Sequence, residues 1–296
     1  MNNKGFALLA DIKASRNTSD DVRFDMQRKL RLIIDSLNSL FRHEMLSTIE
    51  FSSGDSIQGL FKNPSSSLRY YLLLNTLFYP YELRAGIGVG EINSMIYEDS
   101  KQSDNDIDSN YLDGTAYHRA KHALDTAKIY DTRVIIASND IDYDNVINNM
   151  LIEATNYRER MSPSQKRLLV LCEFLNPILN YEESDNYANS FSRLVSFLTF
   201  DESIFNKYMY KEKLYQELFS IFELGKNMRF DGKSYNRYFH IFTADIMPRN
   251  SDVYLAKLYD VSPQNIWLLK KRGGMDNIRT LEMLASISLE RMNEDD

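Results

Sequence analysis

The sequence predicts an α+β protein, with an α/β half built on short strands and a second half that is helical throughout. Two observations carry that expectation. Between residues 6 and 137, short apolar or β-rich runs alternate with stretches whose apolar residues recur at three-to-four spacing. From Ser162 onward the helical spacing persists. The chain has 296 residues, close to two domains at roughly 150 residues each. The expected division is 1–140 as an α/β domain, 141–161 as a linker and 162–296 as a helical domain. With 43% hydrophobic and 26% charged residues, the composition is that of a folded globular chain rather than a disordered one.

The elements follow in order. Phe6-Ala7-Leu8-Leu9-Ala10 is a continuous apolar run, as expected of a strand buried on both faces, and it ends at Asp11. A helix from about Asp21 follows, capped by Ser19 or Asp20, with Val22, Met26, Leu30, Ile33, Ile34, Leu37 and Leu40 on one stripe. Leu46–Phe51 and Ser56–Phe61 flank Ser52-Ser53-Gly54-Asp55 and read as a hairpin. Pro64 and three serines open a helix to about Leu77. Leu83–Val89 is a strand, and glycines at 86, 88 and 90 bare one face for close approach of a backbone or a ligand. Residues 98–113 read as a solvated acidic loop, followed by a helix from about Thr115 to Lys128 and a strand over Thr132–Ala137. This β-α-β-β-α-β order is that of a ferredoxin-like or palm sheet. Ser162-Pro163-Ser164-Gln165 is a capping box that starts the helical half, and the aromatics of 187–245 read as core.

Charge and cysteine content narrow the function classes. The net charge of −7 argues against polyanion binding through bulk charge. Residues 162–296 carry 17 Lys and Arg against 19 Asp and Glu, so any nucleic-acid contact needs a local basic strip. Cys172 is the lone cysteine, which excludes an intramolecular disulfide and a zinc site with paired thiolates. No apolar run approaches the ~20 residues of a membrane helix. The N-terminus lacks the pattern of a signal peptide. A cytoplasmic protein is expected.

Two carboxylates carry the chemistry of the first half. Asp11 ends a buried strand, where α/β sheets present ligands, and Asp55 lies at a hairpin tip. Strand one and the hairpin are neighbours in a βαββ sheet, so both carboxylates can share one opening. There they would hold Mg²⁺ (or Mn²⁺), with a triphosphate completing a hard oxygen set. Turn-forming roles for both residues remain the alternative. Lys13 and Arg16 read either as phosphate contacts or as solvated loop charges. His118 and His122 have the i, i+4 spacing of a metal pair without an evident third ligand.

Four blocks in order make the sequence recognisable: Ala7–Ile12, Ser53–Phe61, Leu83–Glu91 and Asp113–Ala120. They resemble the blocks of class III nucleotidyl cyclase catalytic domains. With Ser15-Arg16, Asp55–Gly59 and Asp113–Tyr117, the chain resembles more closely the SatD family of bacterial proteins. The cyclase resemblance implies metal held by Asp11 and Asp55, phosphates cradled by the backbone of Ile12, Lys13, Ala14 and Ser15, and a head-to-tail homodimer. It also places Phe51 and Tyr111 where cyclases read the purine with a lysine and an acid. His118 and His122 stand where cyclases carry the transition-state asparagine and arginine. Loss of a fixed cation there removes stabilisation on the order of 3 kcal/mol, for which Arg119 or a protonated His122 would have to substitute.

Residues 252–272 match a helix-turn-helix pattern. Ala256 is the small residue where the helices cross, and Asp260 is the turn residue that tolerates a left-handed conformation. Val261 is expected buried, Ser262-Pro263 starts the second helix, and Ile266 and Leu269 point inward. Ser262, Gln264, Asn265 and Trp267 would face DNA bases, and Lys270, Lys271 and Arg272 would face phosphates. A packing or partner-binding hairpin is the alternative. The leading expectation is therefore a bacterial regulatory protein that binds a nucleoside triphosphate with Mg²⁺ and contacts DNA or a partner. An active cyclase of altered base preference and a degenerate palm used for dimerisation remain open beside it.

Overall fold

Strand β1 (Lys4–Ile12) sits at the centre of a five-stranded sheet ordered β2-β3-β1-β4-β5. The structure, a computed structural model, describes residues 4–13, 18–92, 114–175 and 251–291. β1 pairs antiparallel with both β3 (Ser56–Phe61) and β4 (Leu83–Glu91). β2 (Met45–Ser53) pairs antiparallel with β3, and β5 (Val134–Ala137) lies parallel to β4, so the sheet is mixed. The continuous apolar run of β1 is explained by burial on both faces. Phe6, Leu8, Ala10 and Ile12 enter the main core with helices α1 (Asp20–Leu40) and α2 (Pro64–Leu77). Ala7 and Leu9 lie in a smaller cluster under helix α3 (Thr115–Ile129).

Local signals set the element ends. Asn63 Oδ1 accepts from Ser66 N at 2.7 Å and caps α2, with Pro64 in the first turn. The β2–β3 turn is Gly54-Asp55, and Gly54 takes φ 56°, as the first position of a type II′ hairpin requires. Gln27 of α1 holds this tip by donating to Gly54 O. Met26, Leu30, Ile33, Ile34 and Leu37 are buried as the α1 stripe predicts, while Val22 is exposed. Helix α3 ends on Asp131, left-handed at φ 50°, with Thr132 N donating to Ala127 O. That is a Schellman closure with Asp where Gly is commonest.

The glycine stripe serves a backbone, not a ligand. A Cβ at Gly86 would lie 2.1 Å from Ala120 O, and one at Gly88 2.0 Å from Ala116 O. Helix α3 therefore rides directly on β4, at a distance only glycines permit.

Residues 141–161, expected as a linker, are instead helix α4 (Ile141–Arg160) and its C-cap. Asp140 and Met161 bound a periodic apolar stripe of Ile147, Leu151 and Ala154, all buried. Helix α5 (Pro163–Leu175) begins with the expected capping box. Ser162 N donates to Gln165 Oε1 at 2.7 Å, and Gln165 N to Ser162 Oγ at 3.4 Å. The C-terminal described elements are α6 (Ser251–Tyr259), α7 (Pro263–Arg272) and α8 (Met275–Arg291). Helix α8 packs on α4 and α2 and joins the main core through Ile278, Ala285 and Leu289. Among the described residues no helix is long and apolar enough to cross a membrane. The acidic stretch 98–113 and the aromatic segment 187–245 lie outside the described residues.

Candidate functional site

The site is built at the C-terminal end of β1. Register places Asp11 opposite Ser56 on one side and opposite Arg84 on the other. Ser56 follows Asp55, so the two candidate metal ligands come from the end of β1 and from the turn that leads into its neighbour β3. Directly opposed residues share a face, which puts Asp11, Ser56 and Arg84 on the side covered by α3. The Asp11 side chain is 15% exposed and pairs with Lys128 Nζ of α3 at 2.5 Å. Among the described residues no group of three His, Cys, Asp or Glu side chains is placed to hold a metal ion. A two-carboxylate donor set fits Mg²⁺ only as a partial shell, with phosphate and water oxygens completing it.

Around this carboxylate lies a network that the sequence reading missed. Asp131 receives Arg84 Nη2 and lies 3.1 Å from Lys13 Nζ. The Arg84 hydrogen bond, then that of Lys13, holds the Asp131 carboxyl below the usual range. Glu82 receives Arg133 at 2.5 Å, with Lys13 at 3.8 Å and Lys166 at 3.9 Å. Lys13, Arg84, Lys128, Arg133 and Lys166 thus meet Asp11, Glu82, Asp125 and Asp131 at one end of the sheet. The Nε–H groups of Arg84 and Arg133 are buried with no partner. The signal for Arg84 was present in the sequence: strand alternation puts it on the face of Gly86, Gly88 and Gly90. Lys128 and Asp131 depend on where α3 ends, which no local motif fixes against Asp11.

The remaining nucleotide-site candidates are dispersed. Ile12 is buried in the main core, and Lys13 N donates to Glu82 O at 2.9 Å, so neither the Ile12 side chain nor the Lys13 amide stands open as a phosphate cradle. Phe51 pairs with Ile57, which pairs with Ala10, so Phe51 lies on the sheet face opposite Asp11. Its ring packs against the main core with Arg31 at 5.3 Å from the centroid. Ala14, Ser15, Arg16 and Tyr111 lie outside the described residues.

On α3, Ala116, Ala120, Ala123 and Ala127 face the sheet, and His118 and His122 are exposed. Two positions along a helix turn a side chain about 200°, so the histidines point away from Asp11 of their own chain. Arg119 donates to Val89 O at 2.5 Å and to Asn139 Oδ1, which ties the guanidinium to the rear of β4 and the end of β5. Tyr117, in the same block, is buried with no partner for its hydroxyl, and burial pushes its titration upward.

The α6–α7 pair is closed by Asp260 at φ 51°, with Val261 N donating to Ala256 O at 3.0 Å. Ser262 Oγ caps α7 by accepting from Asn265 N at 3.2 Å. Ile266 is buried and Leu269 half-buried, as expected, but Val261 is exposed at 37% rather than buried. Gln264, Asn265, Trp267, Lys271 and Arg272 are exposed, with Lys271 Nζ 4.9 Å from the Trp267 ring centre. Lys270 corrects the expected basic triplet. It is 5% exposed and pairs with Asp252 of α6 at 2.5 Å, so it holds the two helices together instead of facing a phosphate.

Among known proteins, the model of the SatD family matches residues 5–211, which includes the whole sheet, Asp11, Asp55 and helix α5. No curated protein and no solved structure matches the chain. A match over well more than half of the sequence, running through every strand that builds the site, places this chain in the SatD family.

Proposed function

We propose that this protein is a regulatory nucleotide-binding protein. Its sheet end takes a nucleoside triphosphate with Mg²⁺, and the outer face of α7 contacts DNA. The observation that supports the first part is the β1–β3 register, which pairs Asp11 with Ser56, the residue directly after Asp55. Support also comes from Arg84, across from Asp11, and from Lys13, both within reach of phosphate oxygens arriving at that end. Mg²⁺ in such a site neutralises the phosphate charge. Asp11 and Asp55 would hold it, and Arg84 and Lys13 would leave Asp131 to meet the outer phosphates.

Cyclisation is expected to be slow or absent. Arg119 is tied to Val89 and Asn139, and His118 and His122 face outward, so they reach a site only in a second copy of the chain. Calorimetric titration with the four nucleoside triphosphates, with and without Mg²⁺, tests the proposal. Binding that requires Mg²⁺ and is lost in Asp11→Asn and Asp55→Asn supports it. Absence of binding, or binding indifferent to both aspartates, overturns it. Rapid cyclic product formation abolished by Asp55→Ala would instead establish the cyclase reading.

A further inference from the structure

We propose that Lys128 is a built-in occupant of the cation position at Asp11, so that a bare divalent ion must displace it and a metal–polyphosphate complex is favoured. The inference rests on the metal reading of Asp11 and Asp55. Lys128 Nζ lies 2.5 Å from Asp11 Oδ2, on a carboxylate that is 15% exposed. That contact takes one of the two carboxylate oxygens, and an ammonium and a divalent ion repel each other when both sit on one carboxylate.

The fold keeps the lysine there. Helix α3 is seated on β4 by the glycine stripe, with Gly86 against Ala120, Ala123 and Leu124. Sliding or lifting the helix would lose that contact, so the root of Lys128 is fixed relative to Asp11 while its side chain is free to swing. Lys128 belongs to the last turn of α3, where the helix carbonyls favour a cation. Its side chain is 38% exposed, with Asp125 one turn back at 3.9 Å. Departure from Asp11 therefore leaves it a second acceptor, and the pair is a removable plug rather than a permanent bridge.

A bare divalent ion must break this pair with nothing to offer the ammonium. A metal–polyphosphate complex brings anionic oxygens that accept it, so Lys128 passes from Asp11 to phosphate as the ion takes its place. The ligand class this selects is a polyphosphate already carrying its metal. Arg84 does not duplicate the role, because it faces Asp11 across the strand but donates to Asp131.

The test uses the full chain and Mn²⁺ as probe, read by loss of the free-ion paramagnetic resonance signal, with and without inorganic tripolyphosphate. Lys128→Met and Lys128→Gln are expected to bind Mn²⁺ alone on the order of fivefold more tightly than wild type, the worth of a partly exposed ion pair. Asp11→Asn added to either is expected to cancel the gain. With tripolyphosphate present the order reverses, since the variants lack the ammonium that meets phosphate. Equal Mn²⁺ affinity in wild type and both lysine variants overturns this inference alone. Mn²⁺ binding by none of the proteins, even with tripolyphosphate, overturns the metal reading and the inference with it.

Discussion

Asp131 shows how one residue ties chain geometry to charge. Its left-handed backbone ends α3, and its carboxylate then collects Arg84 and Lys13 at the sheet end. A carboxyl held below its unfolded value adds stability above the ordinary carboxylate range and loses it as pH falls through the lowered value. At 65% side-chain exposure the energy is small, so the titration itself is the better readout. NMR-monitored titration is expected to place Asp131 below the usual carboxylate range, and Arg84→Ala should move it back upward. A phosphate ligand that draws Arg84 away should produce the same upward movement in wild type. An Asp131 titration indifferent to Arg84→Ala would show that this pair does not form in solution.

At the scale of elements, α3 and α7 illustrate opposite relations between pattern and role. The every-second glycine pattern of β4 was visible in sequence, yet it left open whether a ligand or a backbone came close. The seating of α3 settles that. For α7, the turn and caps were visible, but the basic triplet was not three equivalent charges, since Lys270 is spent on Asp252. If α7 enters a major groove, neutralising Lys271 and Arg272 should reduce the salt slope of DNA binding by roughly two phosphate contacts. Lys270→Ala should chiefly lower stability, and Gln264→Ala should alter sequence preference more than affinity. Fluorescence anisotropy across a salt series checks this. A slope unchanged by the Lys271 and Arg272 substitutions would assign the face to a protein partner.

Across the whole molecule, the C-terminal helix is stitched into the first half. Arg158 of α4 makes two hydrogen bonds to Glu282 of α8, at 2.8 and 2.9 Å, and a third to Thr76 of α2 at 3.1 Å. Arg279 of α8 pairs with Glu173 of α5 at 2.6 Å, and all four charged groups are buried. Buried pairs add little when both partners are replaced by apolar groups, but breaking one strands a charge. Glu282→Ala is therefore expected to cost about 3–5 kcal/mol, and Arg158→Leu with Glu282→Leu should recover most of it. Urea unfolding checks both, with the midpoint moving and the slope constant. A negligible cost for Glu282→Ala would show that α8 is not bound to α4 through this pair.

The amino-acid order by itself determined the short-range features, because each depends on a few neighbouring residues. It set the doubly buried β1, the Gly54-Asp55 hairpin, the Pro64 and Ser162 helix starts, and the left-handed Asp260. It also placed Asp55 in the turn of a hairpin that neighbours the strand ending near Asp11, since a hairpin following a strand and a helix has few places to return. Residues 141–160 form a helix whose short apolar stripe of Ile147, Leu151 and Ala154 is buried, and α4 packs on α8, a contact that lies more than a hundred positions along the chain. Only the tertiary structure decided which charges are spent on one another. Lys128 on Asp11, Arg84 on Asp131 and Lys270 on Asp252 join residues 18 or more positions apart. An ion pair needs two side-chain ends within a few ångströms, and that proximity is set by how the helices seat on the sheet, which no local pattern records.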